Sequence, residues 1–339
     1  MRYVFLVLIV FFPILGFAQT PTLSKQPRTL SLEWADTLHK KRLRSSAVFV
    51  GVAYPTAMIG LWNSWYKDYP IGRFHLFNDN KEWNQMDKIG HVFSAYHENR
   101  LGYHLGRWSG MSNNKATWAG VGLAQLVQTS FEIFDGFSTE WGFSVGDMGA
   151  NILGSTLFTA QQIAWKEQRI TLKMSTAPDK YPNTALLPYQ GVGAAITLQQ
   201  RSDELYGTGL ASAFLKNYNA LTIWTSVNPR SFAPQATWIP KWLNIAVGMG
   251  SDNMFAGFGY DWQVDKSCTG PDCLAYRVDQ QLYPRSRQWY LSLDIDMTRI
   301  KVKNRVLRTV LHTFGVFKIP APTLEWHQQR GLQFHPIYF

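Results

Sequence analysis

The spacing of apolar and polar positions changes twice along the chain. An apolar run from Val4 to Leu15 follows Arg2 and leads into the small residues Gly16 and Ala18, after which residues 19–30 are polar and without period. This arrangement predicts a secretory signal peptide over 1–18, cut after Ala18, and a mobile leader over 19–30. From Ser31 the spacing becomes helical. Runs 45–66, 116–131 and 148–165 carry no charge, and Gly-bearing breaks at 110–114 and 136–142 divide them. Four helices are expected, at about 33–66, 81–108, 114–135 and 145–174, packed as a bundle over residues 31–178. Ser144 followed by Asp147 has the capping-box pattern and starts the fourth helix, while Pro178 and Pro182 mark its end.

Beyond residue 180 the period shortens. Leu291, Leu293 and Ile295 alternate with Ser292, Asp294 and Asp296, which predicts a half-buried strand. Residues 242–250 and 255–262 read equally as strands or close-packed loops, and 211–227 reads as helix. The closing segment, Gly331 to Phe339, alternates again and is interrupted by Pro336. Its terminal aromatic resembles the C-terminal signal of outer-membrane barrels, although too few alternating segments are visible to close one. The expected fold class is therefore mainly α: an N-terminal four-helix bundle with a mixed α/β, membrane-associated C-terminal region over 179–339.

One further helix has a distinct pattern. Leu307, Val310, Leu311 and Phe314 fall on one helical face, and Lys301, Lys303, Arg305, Arg308 and Lys318 supply a basic side and ends. That pattern predicts an interfacial helix drawn to anionic lipid headgroups. Composition agrees with a core-forming, basic protein: 339 residues, 46% apolar, 15% aromatic and a formal net charge of +10. It excludes collagen-like, coiled-coil and disulfide-scaffold classes. The same charge would suit nucleic acid, but an exported protein rarely meets it, so the expected partners are membrane lipid headgroups and an envelope protein. Cys268 and Cys273 flank Thr-Gly-Pro-Asp, a turn sequence that predicts a small disulfide loop in an oxidising compartment. A metal pair there would need Asp265 and Asp272 as further ligands.

The candidate chemistry lies in three clusters. Asp87 and His91 are four residues apart on one helical face, which Ser94 and Glu98 continue; Gln125, Gln128, Glu132 and Asp135 form a polar stripe on the next helix; Asp147 and Asn151 open the fourth. If the stripes face inward they converge, and burying several carboxylates is costly unless they are paired, protonated or bound to a cation. The order Asp87-Lys88-x-x-His91, then Glu132, then Ser144-x-x-Asp147-x-x-x-Asn151-x-x-Gly154 resembles the shared pattern of VanZ-like proteins. It is similar also to an uncharacterised family of predicted periplasmic lipoproteins of the YfiM type. The resemblance covers residues 80–165 and implies an exported helical domain, with no settled reaction to transfer; the cysteine at which a lipoprotein is processed does not follow the apolar run.

Three readings of the cluster stand side by side. Asp87, His91, Glu132 and Asp147 are candidate ligands of a divalent metal. His91, positioned by Asp87 and with Glu132 nearby, is a candidate general base on a lipid or glycan headgroup. In the third reading Lys88 pairs with a carboxylate, Asp147 caps its helix, and Asp135, Asn151 and Gly154 complete a network that fixes helix register. The expected function is that of an exported, outer-membrane-associated envelope component with a structural, assembly or partner-binding role. The alternative is a metal-assisted or His-dependent hydrolase of envelope lipids or glycans.

Overall fold

Helices α1 (Lys40–Leu61), α2 (Met86–Trp108), α3 (Asn113–Phe137) and α4 (Val145–Ala164) form the first half of the structure. It is a computed structural model that describes residues 33–339 apart from 68, 178–179, 209–213, 215–216 and 266–267. The expected signal peptide and leader lie outside the described residues. α1 begins at a His39 cap, runs through Pro55 and ends in a single π turn, Trp62–Tyr66. It lies to one side, with Ala57 and Met58 packed against Leu101, Leu105, Leu123 and Val127. Among the described residues no helix is long and apolar enough to cross a membrane.

The other three helices approach closely because glycine lets them. A Cβ on Gly120 would sit 2.2 Å from Asn99 Oδ1 and 2.3 Å from Asn99 O, and one on Gly154 would sit 2.1 Å from Val92 O. Within that contact the Asn99 amide donates to Ser155 O at 3.0 Å and Thr159 Oγ1 at 2.9 Å, tying α2 to α4. Close packing here is what brings the polar stripes of three helices within reach of one another.

The second half corrects the mainly α expectation. Strands β1 (Ile170–Thr176), β2 (Leu221–Val227), β3 (Leu243–Asp252), β4 (Ser286–Ile295), β5 (Ala321–His327) and β6 (Gly331–Tyr338) form one antiparallel sheet in that spatial order. The chain is thus an α+β protein and not mainly α: the helices are concentrated in the N-terminal half and the C-terminal part is mixed, as expected, but that part is built on a large antiparallel sheet. α4 stops ten residues short of its expected end because Gln161 Oε1 accepts from the amides of Arg169 and Ile170 at 2.9 and 2.8 Å, turning the backbone into β1. Residues 221–227, read as helix, are rich in β-branched and aromatic side chains and are held between β1 and β3. β6 tolerates Pro336 because it is an edge strand. Short strands pair beside the main sheet; in the loop between two of them Cys268 and Cys273 form a disulfide, their Cα atoms 5.7 Å apart. Two further helices, α5 (Leu198–Tyr206) and α6 (Arg305–Phe314), complete the elements used below.

The sheet buries a polar face. Lys173 Nζ meets Asp294 Oδ2 at 2.6 Å, both buried, and Asp294 also accepts from Ser226 Oγ at 2.6 Å. His327 Nε2 meets Asp252 Oδ2 at 3.1 Å, and His335 Nε2 meets Glu325 Oε2 at 2.6 Å. Trp224, Tyr290 and Tyr338 fill the centre, with Tyr338 OH 3.2 Å from Thr222 Oγ1, so the edge strand β6 curls back toward β2. The opposite face is apolar. Over β1 and β2 its Leu172, Leu221 and Ile223 pack against Phe93, Tyr96 and Phe158 of the helices. Over β3 to β6 it is open: Val247, Leu291, Leu324 and Phe334 form one cross-strand row and Met249, Trp289, Trp326 and Leu332 the next.

Gly120→Ala and Gly154→Ala are each expected to lower stability by about 1–3 kcal/mol in urea unfolding, the cost of overpacking a tight helix contact. Gly122→Ala, on a glycine with nothing within 4 Å of its Cβ position, changes it by less than about 1 kcal/mol.

Candidate functional site

The polar stripes of α2, α3 and α4 converge. Lys88 is the hub: its Nζ lies 2.7 Å from Asp79 Oδ1, 2.7 Å from Asp147 Oδ1 and 3.2 Å from Asp87 Oδ2. Burial works against its charge, yet Asp87, Asp147 and Asp79 outweigh that and hold its pKa above the usual lysine value. Asp79 titrates lower than usual although burial opposes this, because Asp147, Lys88 and Ser144 bond to its carboxylate.

Ser144 starts α4 as predicted, its Oγ accepting from Asp147 N at 3.1 Å. The reciprocal half of the capping box is replaced: Ser144 N donates to Glu132 Oε2 at 3.2 Å. With that duty taken by Glu132, the Asp147 carboxylate turns to Lys88 instead.

His91 is oriented by amides. Its Nδ1 faces Asn151 Oδ1 at 3.0 Å and Gln128 Oε1 at 3.2 Å. Gln128 cannot turn over without loss, because its Nε2 donates to both Glu98 oxygens at 2.9 and 3.0 Å. Two acceptors at Nδ1 place a hydrogen there and aim Nε2 into the carboxylates. Nε2 lies 3.6 Å from Asp147 Oδ1, 3.8 Å from Glu132 Oε1 and 4.0 Å from Asp87 Oδ1, all beyond hydrogen-bond reach. Asp87 Oδ1 receives Tyr218 OH at 2.7 Å, whereas Glu132 Oε1 is buried and accepts no hydrogen bond.

One imidazole nitrogen and three carboxylate oxygens thus surround a point without touching one another. Donors bound to a divalent ion at about 2.0–2.5 Å stand roughly 3–4 Å apart. The ligand atoms of Asp87, His91 and Asp147 all lie within 4.8 Å of one another; the orphaned Glu132 oxygen stands 3.8 Å from His91 Nε2 but outside that set of three. These three residues fit a divalent cation, which His91, Asp87 and Asp147 would hold, with Asp147 shared between it and Lys88 and Glu132 beside them.

Protons balance the same charge. Burial pushes the Glu132 carboxyl up to about 8 and that of Glu98 to about 8; burial and the Asp87 charge push Asp147 to about 7. His91 rises to about 9: burial opposes its charging, but Asp87, Asp147 and Glu132 prevail. Asp135 sits at the margin, bonded by Tyr66 OH, and burial raises it to about 6.

The structure thus brings Asp87, Lys88, His91, Glu132, Asp147 and Asn151 into one cluster, with Asp135 beside it. Gly154 contributes packing alone. Lys301, Lys303 and Arg308 stand elsewhere, about α6, and the side chain of Arg305 lies outside the described residues. Sequence reading missed Asp79 and Tyr218. Asp79 belongs to a loop with no helical spacing to single it out, and Tyr218 is 131 positions from Asp87. Gln128 and Glu98 were visible as stripe members, but not as a linked pair orienting a histidine.

Residues 75–161, which hold the three helical stripes and Asp79, match the family described as predicted periplasmic lipoprotein (DUF2279). No curated protein and no solved structure matches the chain. The family match bears out the exported, periplasmic address expected from the N-terminus and is consistent with association with the outer membrane. It supports the likeness to periplasmic lipoproteins and adds nothing to the likeness to VanZ-like proteins.

The raised pKa values have one sign. Between their ordinary values and the shifted ones, Glu132, Glu98, Asp147, Asp135 and His91 bind more protons folded than unfolded, so stability falls as pH rises. The buried His97, His104 and His312, kept neutral by burial, act in the opposite sense below about pH 6.5, so thermal unfolding is expected to show a lower Tm at pH 9 than at pH 7, and Glu132→Gln is expected to make that slope shallower.

Proposed function

We propose that this exported envelope protein is seated on a membrane by the open part of the apolar face of its six-stranded sheet, with the acid and histidine cluster held on the helices that cover the other end of that face. The observation that carries this reading is the inverted sheet. A water-soluble sheet turns its apolar face to the core, whereas here the curled inner face is polar and internally bonded. Ile245, Val247, Leu291, Leu293, Leu324, Trp326, Leu332 and Phe334 are exposed on the outer face. Polar inside and apolar outside is the arrangement that strands adopt against lipid, and a contiguous patch of this kind marks an interaction surface. The paired Trp289 and Trp326, ring centres 4.8 Å apart, suit a water–lipid boundary. α6 supports the same reading, with Val306, Leu307, Val310 and Phe314 exposed and Lys301, Lys303 and Arg308 available to headgroups.

A second reading concerns the cluster. The aim of His91 Nε2 into three carboxylates, one with an orphaned oxygen, favours a metal-assisted or His-dependent hydrolase of envelope lipids or glycans. When bound, a divalent cation supplies polarisation of a water or a phosphoryl oxygen. The chain's own part is to keep Nδ1 of His91 bonded to Asn151 and Gln128, so that Nε2 can donate its lone pair once its proton has left. Lys88 fixes the Asp147 carboxylate beside His91. Near neutral pH and without a cation His91 holds its proton, so it serves as an acid or a positive charge there and not as a base.

Flotation with vesicles of phosphatidylethanolamine and phosphatidylglycerol tests the membrane reading. The purified chain is expected to float, also in high salt, and Leu291→Glu with Phe334→Glu is expected to abolish flotation while the fold is kept. A wild-type chain that stays monomeric without detergent and does not float overturns it; a discrete protein partner on the same face would appear as a stable complex in place of flotation. Titration with zinc or manganese at pH 7, followed by a pH indicator, tests the hydrolase reading. Proton release is expected, and is lost in His91→Ala and Glu132→Ala; no uptake, with both variants complementing a deletion strain, leaves the cluster a structural network.

A further inference from the structure

A cavity of about 630 Å³ opens between α2, the end of α4 and the segment that leads into α6. It is separate from the acid and histidine cluster, and its charge does not balance. Arg100 is 8% exposed, and its guanidinium makes one long hydrogen bond, Nη2 to His312 O at 3.5 Å, with no carboxylate at ion-pair distance among the described residues. Among the described residues Arg308 bonds a carbonyl, its Nε and Nη2 lying 3.3 and 3.0 Å from Val302 O. Lys301 and Lys303 stand exposed where the wall meets solvent. The acids in the wall are already committed: Asp296 bonds Arg299 Nε at 3.0 Å, and Glu167 bonds Arg169 at 2.9 Å and Arg299 at 3.4 Å. Lys173 is neutralised by Asp294 at 2.6 Å. His104, 6% exposed, also faces this space and has a buried Nδ1 with no hydrogen-bond partner.

Asp296 acts on Arg100 through space but is bonded to Arg299, so the buried guanidinium is only partly compensated, and an anion in the cavity lowers the cost of burying it. The cationic side chains Arg100, Lys301, Lys303 and Arg308 exceed what one carboxylate would balance, and the planar fork of arginine matches two oxygens of a phosphate. Tyr96, Phe158 and Ile300 give the same space apolar walls that would flank an attached carbon skeleton.

We propose that this cavity binds a phosphate monoester or diester, with Arg100 as the buried anchor and Lys301, Lys303 and Arg308 closing on it from the mouth. The phosphate comes either from a phospholipid headgroup, which the exposed apolar face of α6 at the mouth would admit, or from a free phosphorylated small molecule. The site does not depend on how the sheet meets a membrane, because every residue in it belongs to the cavity.

The test is calorimetric titration of the purified chain with glycerol 3-phosphate and, separately, with soluble dihexanoyl phosphatidic acid. Saturable binding of at least one probe, competed by inorganic phosphate, is expected. If both bind alike the source is a free phosphorylated molecule; if only the acylated probe binds it is a lipid headgroup. The surface double variant Lys303→Gln with Arg308→Gln is expected to weaken binding about ten-fold, the size of one lost charge-assisted hydrogen bond. Arg100→Lys, which keeps the charge and loses the fork, is expected to weaken it likewise. No binding of either probe at millimolar concentration, or affinities unchanged in both the double variant and Arg100→Lys, overturns the proposal. Vesicle flotation of the same variants separates the two readings, since loss of the cavity leaves seating through the sheet intact.

Discussion

The polar stripes of the helical half are arranged around one partly buried ammonium. Lys88 touches Asp79 from the loop before α2, Asp87 from its own helix and Asp147 from the start of α4, so a single charge ties three segments. An ammonium in that position is stable only because carboxylates surround it, and those carboxylates are tolerable only because the ammonium is there. The surplus is what gives the site its character. Asp147 and Glu132, left with less positive charge than they need, hold protons near neutral pH, and His91 is drawn into the same balance. The amides of Gln128 and Asn151 face Nδ1 of His91 and leave Nε2 toward the carboxylates.

The sheet obeys the same rule in a different solvent arrangement. Lys173 with Asp294, His327 with Asp252 and His335 with Glu325 are satisfied on the concave face, which lets the convex face be apolar wherever helices do not cover it. The half of that face over β1 and β2 is consumed by Phe93, Tyr96 and Phe158, and the half over β3 to β6 is not. One continuous apolar surface thus serves as the interior of the protein at one end and as its outward surface at the other.

The legibility of the fold follows from this. Helices α2 and α3 were readable to within a few residues of their ends, since their stripes repeat at helical spacing and glycine-bearing breaks bound them. α4 was readable at its start, where Ser144 caps it, and not at its end, where a distant-looking Gln161 side chain captures two amides. β4 and the closing strand β6 were identified as strands, the second with a break expected at Pro336; β2 was read as a helix, and β3 was left open between strand and loop. Alternation alone does not say which face is buried, and a sheet whose polar face is the inner one defeats the usual expectation. The candidate site was legible in six of its residues because each stripe carries its own spacing, while Asp79 and Tyr218 carry none.

What the sequence by itself determined is the address and the chemistry on offer: an export signal pattern, helices with polar stripes, and the residue types Asp87, His91, Glu132 and Asp147 at intervals that share a face. Local spacing suffices for these, since neighbours three and four apart on a helix are neighbours in space. The tertiary structure alone decided that Gly120 and Gly154 bring the stripes into contact, that Gln128 fixes the tautomer of His91, and that six strands far apart in sequence curl with their charges inward. Those outcomes depend on contacts between segments tens to hundreds of residues apart, and no local period encodes which of two faces a distant segment will cover.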